Sequence, residues 1–279
     1  MPVTLLGAAE IRALAADLDV TPTKKLGQNF VVDANTVRKI VTAARVTSAD
    51  RVVEVGPGLG SLTLAILETG APVTAVEIDH RLAERLPATA AAHGVPDGAL
   101  TVVAQDALRV SELPGDPDVL VANLPYNVSV PVLLHFMEHF PTIQRGVVMV
   151  QAEVGERLAA PSGSKVYGAP SVKAAWYGTW RLAGTVSRQV FWPVPNVDSV
   201  LVGFERDAAA RGTEEERLRT FAIVDAAFQQ RRKMLRQALS AVLGGSSAAA
   251  SEVLERAGVA PTARGEELTI EDFVRIARA

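Results

Sequence analysis

The stretch from Arg51 to Gly70 constrains the fold more than any other part of the chain. Arg51 to Val55 is a short β-branched run that passes directly into Gly56-Pro57-Gly58-Leu59-Gly60, and Ser61 to Thr69 then reads as an apolar-rich helix ending near Gly70. Strand, glycine turn and helix in that order open a nucleotide-binding α/β unit, because glycines let the backbone come close to a ligand at the carboxyl end of a strand. The next strand, Val73 to Val76, delivers Glu77 to the same edge seventeen residues after Gly60, where a carboxylate can hold both ribose hydroxyls. A dinucleotide fingerprint reads G-x-G-x-x-G and seats a pyrophosphate on a helix N-terminus. This chain has G-x-G-x-G, which better suits an aminoacyl nucleoside and favours S-adenosylmethionine over NAD. The plain alternative is a glycine turn that only joins a strand to a helix, and Glu77 weighs against it.

Two further strand ends extend the series. Leu100 to Ala104 leads into Gln105-Asp106-Ala107, so Asp106 also arrives at a carboxyl edge, where it can meet the adenine amine of the cofactor or simply cap the following turn. Val119 to Ala122 leads into Asn123-Leu124-Pro125-Tyr126. The Asn123 side-chain oxygen and the Leu124 carbonyl can both accept hydrogen bonds from an amino group, Pro125 fixes the turn, and Tyr126 offers a stacking face. That is a pocket for methylating an exocyclic amine in outline; taken alone it is also a proline turn with a core tyrosine. Gly56, Glu77, Asp106 and Asn123, each ending a successive apolar strand, are hard to read as four coincidences.

With these residues in view, the sequence closely resembles the KsgA/RsmA family of small-subunit ribosomal RNA adenine dimethyltransferases over nearly its whole length. The resemblance is carried by Lys24-Lys25-Leu26-Gly27-Gln28-Asn29-Phe30, Glu54-Val55-Gly56-Pro57-Gly58-Leu59-Gly60, Asn123-Leu124-Pro125-Tyr126-Asn127-Val128-Ser129, Phe191-Trp192-Pro193-Val194-Pro195-Asn196-Val197-Asp198-Ser199 and Phe228-Gln229-Gln230-Arg231-Arg232-Lys233, in the family's order. It implies cofactor contacts from Asn29, Val31, Gly56, Gly58, Glu77, Asp106 and Asn123, and a target adenine flanked by Tyr126 and Phe191. Departures are small: Val128 stands where Ile is commoner, Val130 where a small hydroxyl residue is usual, and Ala169-Pro170 where Leu is frequent. The macrolide-resistance methyltransferases of the large-subunit RNA are similar, but they typically carry Ile where this chain has Leu124, and they lack the Lys165-Val166-Tyr167-Gly168 segment. A noncatalytic ribosome-assembly or RNA-binding factor on the same fold is the rival from another class, and the intact Glu77 and Asn123 to Tyr126 argue against it.

The expected fold is a doubly wound, Rossmann-like α/β methyltransferase sheet with a smaller all-helical C-terminal domain. Residues 1–206 are expected to form the S-adenosylmethionine-binding domain, with an N-terminal helix over Leu5 to Leu18, and residues 207–279 the helical one. Thr213-Glu214-Glu215-Glu216 reads as a capped helix start, with helix expected to Leu243; Gly244-Gly245-Ser246-Ser247 breaks it, and shorter helices follow near Ala248 to Ala257 and Ile270 to Ala277. Pro161 to Pro170 reads as a mobile loop near the active-site edge.

Zero cysteines excludes disulfides, thiolate catalysis and Cys-ligated metal, and no apolar run reaches the roughly 18 residues of a membrane span, so the cytoplasm is the expected compartment. A monomer is expected as well. The 28 basic and 31 acidic residues give a net charge of −3, unusual for an RNA partner. Distribution matters more than the sum. Lys24 with Lys25, Arg38 with Lys39, Arg181 with Arg188, and above all Arg231, Arg232, Lys233 and Arg236 are local clusters suited to phosphates of small-subunit ribosomal RNA, the expected partner in the immature small subunit. One decoy stands out. His135-Phe136-Met137-Glu138-His139 matches H-x-x-E-H of certain zinc peptidases, but the apolar residues around it describe an ordinary half-buried helix, and no metal is expected.

Overall fold

The computed structural model describes residues 2–20 and 29–279. Lys24 and Lys25 lie outside the described residues. Nine strands are described: β1 (Phe30–Val31), β2 (Val52–Val55), β3 (Val73–Glu77), β4 (Leu100–Ala104), β5 (Val119–Asn123), β6 (Arg145–Gln151), β7 (Gly178–Val186), β8 (Phe191–Trp192) and β9 (Ser199–Arg206). Seven of them form one sheet in the order β4-β3-β2-β5-β6-β9-β7. The pairs from β4 through β6 are parallel, and β9 lies antiparallel to β6. Strands β2, β3 and β5 are buried along almost their whole length, as parallel strands covered on both faces must be. That explains their Val-rich apolar runs, into which β2 sets one buried acid, Glu54. Alternate residues serve opposite faces, and Val52, Val73, Ala75, Val119, Val121, Val147, Met149 and Leu201 all enter one core cluster.

Helices α1 (Ala8–Asp17), α2 (Ala34–Ala43), α3 (Ser61–Leu67), α4 (His80–Ala92), α5 (Ser129–His139) and α6 (Ala152–Leu158) intersperse the strands. Local chemistry sets their starts: Asp33 accepts from the Thr36 N–H at 2.7 Å to cap α2, and Asp79 accepts from the Arg81 N–H at 3.0 Å to cap α4. From α1, Ile11, Leu14 and Ala15 join Phe30, Leu59, Leu64 and Leu82 in a second cluster that backs the glycine turn. Strands β1 and β8 form a separate two-stranded ribbon, with Phe30 opposite Trp192 and Val31 opposite Phe191.

The chain divides into two compact units, one comprising Met1–Gly155 with Arg181–Arg206 and the other Glu156–Trp180 with Asp207–Ala279. The sequence-based boundary at 206 therefore needs a correction for Glu156–Trp180, which groups with the C-terminal helices. Within the second unit, α7 (Ala169–Ala175), α8 (Glu214–Gln229), α9 (Leu235–Ala238), α10 (Ser247–Arg256) and α11 (Ile270–Arg278) surround a set of aromatic residues. The Tyr167 hydroxyl donates to the Leu268 carbonyl at 2.8 Å, Trp176 and Tyr177 meet the Phe221 ring edge-on, and Lys173 pairs with Asp225 at 2.7 Å. The segment read as a loop at the active-site edge is thus fastened, at Tyr167, into the helical unit. A second correction concerns helix length. Helix α8 stops at Gln229 instead of running to Leu243, because the N–H groups of Leu235 and Arg236 donate to the carbonyls of Ala263 and Pro261 and start α9 afresh.

Candidate active site

The parallel order reverses at β2, whose neighbours are β3 on one side and β5 on the other, so the crevice at their carboxyl ends is the topological switch point where open α/β sheets bind ligands. A cavity of about 250 Å³ lies there. It is lined by Asn29, Val31, Gly56, Gly58, Glu77 and Asp106, and by the whole of Asn123 to Tyr126. All of these residues belong to the first unit.

The glycine turn is held open for a ligand. Gly56, Gly58 and Gly60 all have positive φ, and at Gly58 (φ +58°) a Cβ would stand 3.0 Å from the Phe30 ring. Glu77 braces the same turn: one carboxylate oxygen accepts from the Gly58 N–H at 3.0 Å and the other from the Asp79 N–H at 2.9 Å. Burial raises the Glu77 carboxyl above its ordinary range, and these N–H donors oppose the shift. The carboxylate has acceptor capacity beyond these bonds, which a ribose hydroxyl can use. Asp106 forms the local turn by accepting from the Leu108 N–H at 2.9 Å, and it lines the cavity as well.

At the end of β5, the Leu124 N–H donates to the Met149 carbonyl at 3.1 Å, so the neighbouring strand sets the course of the chain into Pro125. The Asn123 Nδ2–H donates to the Asn29 carbonyl at 3.1 Å. With the donor end of the amide committed, Oδ1 is the end left to accept from a ligand. The Tyr126 hydroxyl is 2.9 Å from Ser199 Oγ, and its pKa is raised mainly by burial.

Phe191 departs from its expected place beside the base. Only 2% exposed, it packs in the core with Val31, opposite which β8 sets it, and it does not line the cavity. Its neighbour Trp192 stacks on Phe30 with ring centroids 6.3 Å apart. Glu54 is a lining residue the sequence reading passed over. It is 1% exposed, and its Oε2 has no hydrogen-bond partner. Burial pushes its carboxyl up to about 8, with the Thr63 hydroxyl acting against the shift and the Glu77 carboxylate adding to it. The signal was present as an acid inside the β-branched run Val52–Val55.

The basic groups are distributed unevenly. Arg231 pairs within its own unit, with Glu266 at 2.8 Å and the Lys165 carbonyl at 2.7 Å. Arg232 and Lys233 are exposed in the turn between α8 and α9, and Arg236 is half-buried on α9. Arg38 pairs with Glu68, and Arg181 with Glu205. In the H-x-x-E-H segment, the His135 Nε2–H donates to the Val110 carbonyl at 2.8 Å and the two imidazoles stack at 4.1 Å. Among the described residues, no group of three or more His, Cys, Asp or Glu could hold a metal ion, and no helix is long and apolar enough to cross a membrane.

A sheet parallel from β4 through β6, with a glycine turn and a carboxylate at its switch point, defines a Rossmann-like nucleotide-binding fold, and the amide-proline-tyrosine turn beside them is suited to an exocyclic amine. Comparison makes this specific. The profile of the family described as "Ribosomal RNA adenine dimethylase" matches residues 21–279, and the chain belongs to that family. It is 69% identical over 275 residues to the "Ribosomal RNA small subunit methyltransferase A" of Leifsonia xyli, covering 98% of each chain, and 60% identical over 279 residues to the protein of the same name from Streptomyces coelicolor, covering 99% of this chain and 97% of that one. Among solved structures, a dimethyladenosine transferase from Plasmodium falciparum superposes with a TM-score of 0.75 at 26% identity, covering 88% of this chain and 94% of that one. The 23S rRNA methyltransferase ErmE superposes with a TM-score of 0.67 at 26% identity, covering 90% and 98%. The family is one of S-adenosylmethionine-dependent methyltransferases, and this chain is an enzyme of that kind.

Proposed function

We propose that this enzyme dimethylates the exocyclic amines of adenosines near the end of small-subunit ribosomal RNA, and that it acts on the immature small subunit as a cytoplasmic monomer. Family membership supplies the reaction class, S-adenosylmethionine-dependent adenine dimethylation of ribosomal RNA. Two observations favour the small subunit over the large: the names carried by relatives at 69% and 60% identity, and Leu124 in the position where the similar large-subunit enzymes typically carry Ile.

The cavity fits the cofactor. Glu54 Oε2 is a buried acceptor with no partner of its own, suited to the α-ammonium group of S-adenosylmethionine, while Glu77 suits the ribose and Asp106 the adenine amine. Asn29, Val31, Gly56 and Gly58 complete the proposed cofactor surface. Bound there, S-adenosylmethionine supplies an electrophilic methyl on a positively charged sulfur.

One observation carries the reading of the target side: the Asn123 Nδ2–H held by the Asn29 carbonyl, which commits Oδ1 to accept. An adenine amine is a poor nucleophile because its lone pair is delocalised into the ring. Hydrogen bonds from that amine to Asn123 Oδ1 and the Leu124 carbonyl favour the pyramidal nitrogen of the transition state, and Tyr126 offsets part of the cost of unstacking the base. Transfer would form the nitrogen–carbon bond as the carbon–sulfur bond breaks, with Asn123 and Leu124 holding the amine in line. The alkylated nitrogen is acidic and releases its proton to solvent, so no dedicated base is required. Arg231, Arg232, Lys233 and Arg236 are the described residues proposed to meet phosphates, and Lys24 and Lys25 stay with them as proposed contacts.

The test is transfer of labelled methyl groups to unmethylated small subunits, large subunits and naked RNA by the parent chain and by Asn123→Ala. Label should appear as dimethyladenosine in small-subunit RNA, and the variant should lose about a hundredfold in rate. Small-subunit binding without label would instead support an assembly factor.

A further inference from the structure

Tyr126 is fixed at both ends. Its backbone follows Pro125 at the end of β5, and its hydroxyl lies 2.9 Å from the Oγ of Ser199. Ser199 is 1% exposed and opens β9 opposite Gln151 of β6, while the carbonyl of the residue before it, Asp198, accepts from the Ala152 N–H at 2.9 Å. The sheet thus pins the Ser199 backbone, so its Oγ is restricted to the staggered χ1 positions about a fixed Cα. The stretch from Trp192 to Ser199 therefore meets the cavity wall twice: Trp192 stacks on Phe30, Ser199 bonds Tyr126, and both Phe30 and Tyr126 line the cavity.

We propose that Ser199 is a positioning residue for methyl transfer, holding the Tyr126 hydroxyl so that the ring presents one fixed plane to the target base. The inference rests on the reading of Tyr126 as the stacking face. A tyrosine anchored only through its backbone can swing about χ1 and χ2, and a base stacked on it swings with it. With the hydroxyl anchored as well, a stacked base arrives with its amine already directed at Asn123 Oδ1. Small displacements from attack geometry are expensive in rate, so a bond remote from the reacting atoms can act through orientation alone.

The bond can be removed from either side. Ser199→Ala deletes the partner, and Tyr126→Phe deletes the hydroxyl while keeping the ring. On unmethylated small subunits each variant should lower kcat about five- to tenfold with little change in KM, and cofactor affinity, read by calorimetry, should stay within about twofold of the parent. The double variant should be no slower than either single one, because both remove the same interaction. If Ser199 served packing only, Tyr126→Phe would keep the parental kcat, and that result, or losses that multiply in the double variant, overturns the proposal. Tyr126→Ala separates this from the underlying reading: strong loss there with an unaffected Tyr126→Phe rejects the role of Ser199 alone, whereas full activity of Tyr126→Ala rejects the stacking face too. Tyr126→Phe also covers the case in which Ser199→Ala fails to fold.

Discussion

Glu54 carries a measurable consequence of placing an acid inside a buried strand. Its ordinary carboxyl value of 4.5 is raised to about 8 in the fold, so the native chain holds a proton that the unfolded chain has lost over that window. Stability contributed by this group is therefore greatest below about 4.5, falls as pH rises through the window, and is lowest above about 8. Glu54→Gln keeps the shape of the protonated acid and cannot ionise. In cofactor-free protein its Tm should exceed the parental value by several degrees at pH 9, and the two should converge near pH 4; a difference unchanged between these pH values would refute the account. The same substitution should weaken cofactor binding at pH 8, since the neutral amide cannot ion-pair with the cofactor's α-ammonium group. At this scale the sequence was legible wherever a residue announces itself by position, as Glu77, Asp106 and Asn123 do at strand ends. Phe191 was not, because whether a motif aromatic faces a cavity or the core depends on the pairing of β8 with β1, 160 residues away, and no local pattern encodes that register.

Helix starts were readable because capping is local chemistry. Thr213 and Glu216 form the box expected of them: the Thr213 N–H donates to Glu216 Oε2 at 2.8 Å, and the Glu216 N–H donates to Thr213 Oγ1 at 3.2 Å. Thr213→Ala should cost about 1 kcal/mol in stability, read as a lowered urea midpoint, and should leave cofactor affinity unchanged, because every residue lining the cavity belongs to the other unit. A loss of cofactor affinity would contradict that separation. The end of α8 was not readable. Residues 230–234 contain neither Gly nor Pro, and the apolar spacing of Phe221, Val224, Phe228, Leu235 and Leu239 continues across them. What stops the helix is competition from carbonyls at Pro261 and Ala263 for the N–H groups of Leu235 and Arg236, a tertiary contact that overrides local propensity. The turn so created leaves Arg232 and Lys233 exposed, where a continuous helix would have distributed the same charges around its axis.

Over the whole molecule, charge and chain division both differ from what a linear reading suggests. The net charge of −3 includes internal neutralisation: Arg45, Arg145, Arg211 and Arg278 each hold a carboxylate within 3 Å. The division matters more for experiment. A boundary drawn at 206 separates Tyr167 from the Leu268 carbonyl, Trp176 and Tyr177 from Phe221, and Lys173 from Asp225. Tyr167, Trp176 and Tyr177 are 4%, 6% and 7% exposed, so a chain ending at Arg206 would present three large aromatic side chains to water. Such a chain should aggregate on purification. A version that also replaces Glu156–Trp180 with a Gly/Ser linker should remain monomeric and bind S-adenosylmethionine, because it keeps every residue lining the cavity. Light scattering and cofactor calorimetry on the two proteins decide between the divisions. If the chain ending at Arg206 is monodisperse and melts cooperatively, Glu156–Trp180 belongs with the sheet; if only the linker version is, the helical unit includes that segment, and sequence order misled because the chain leaves the sheet after β6, builds part of its second unit, and returns for β7 through β9.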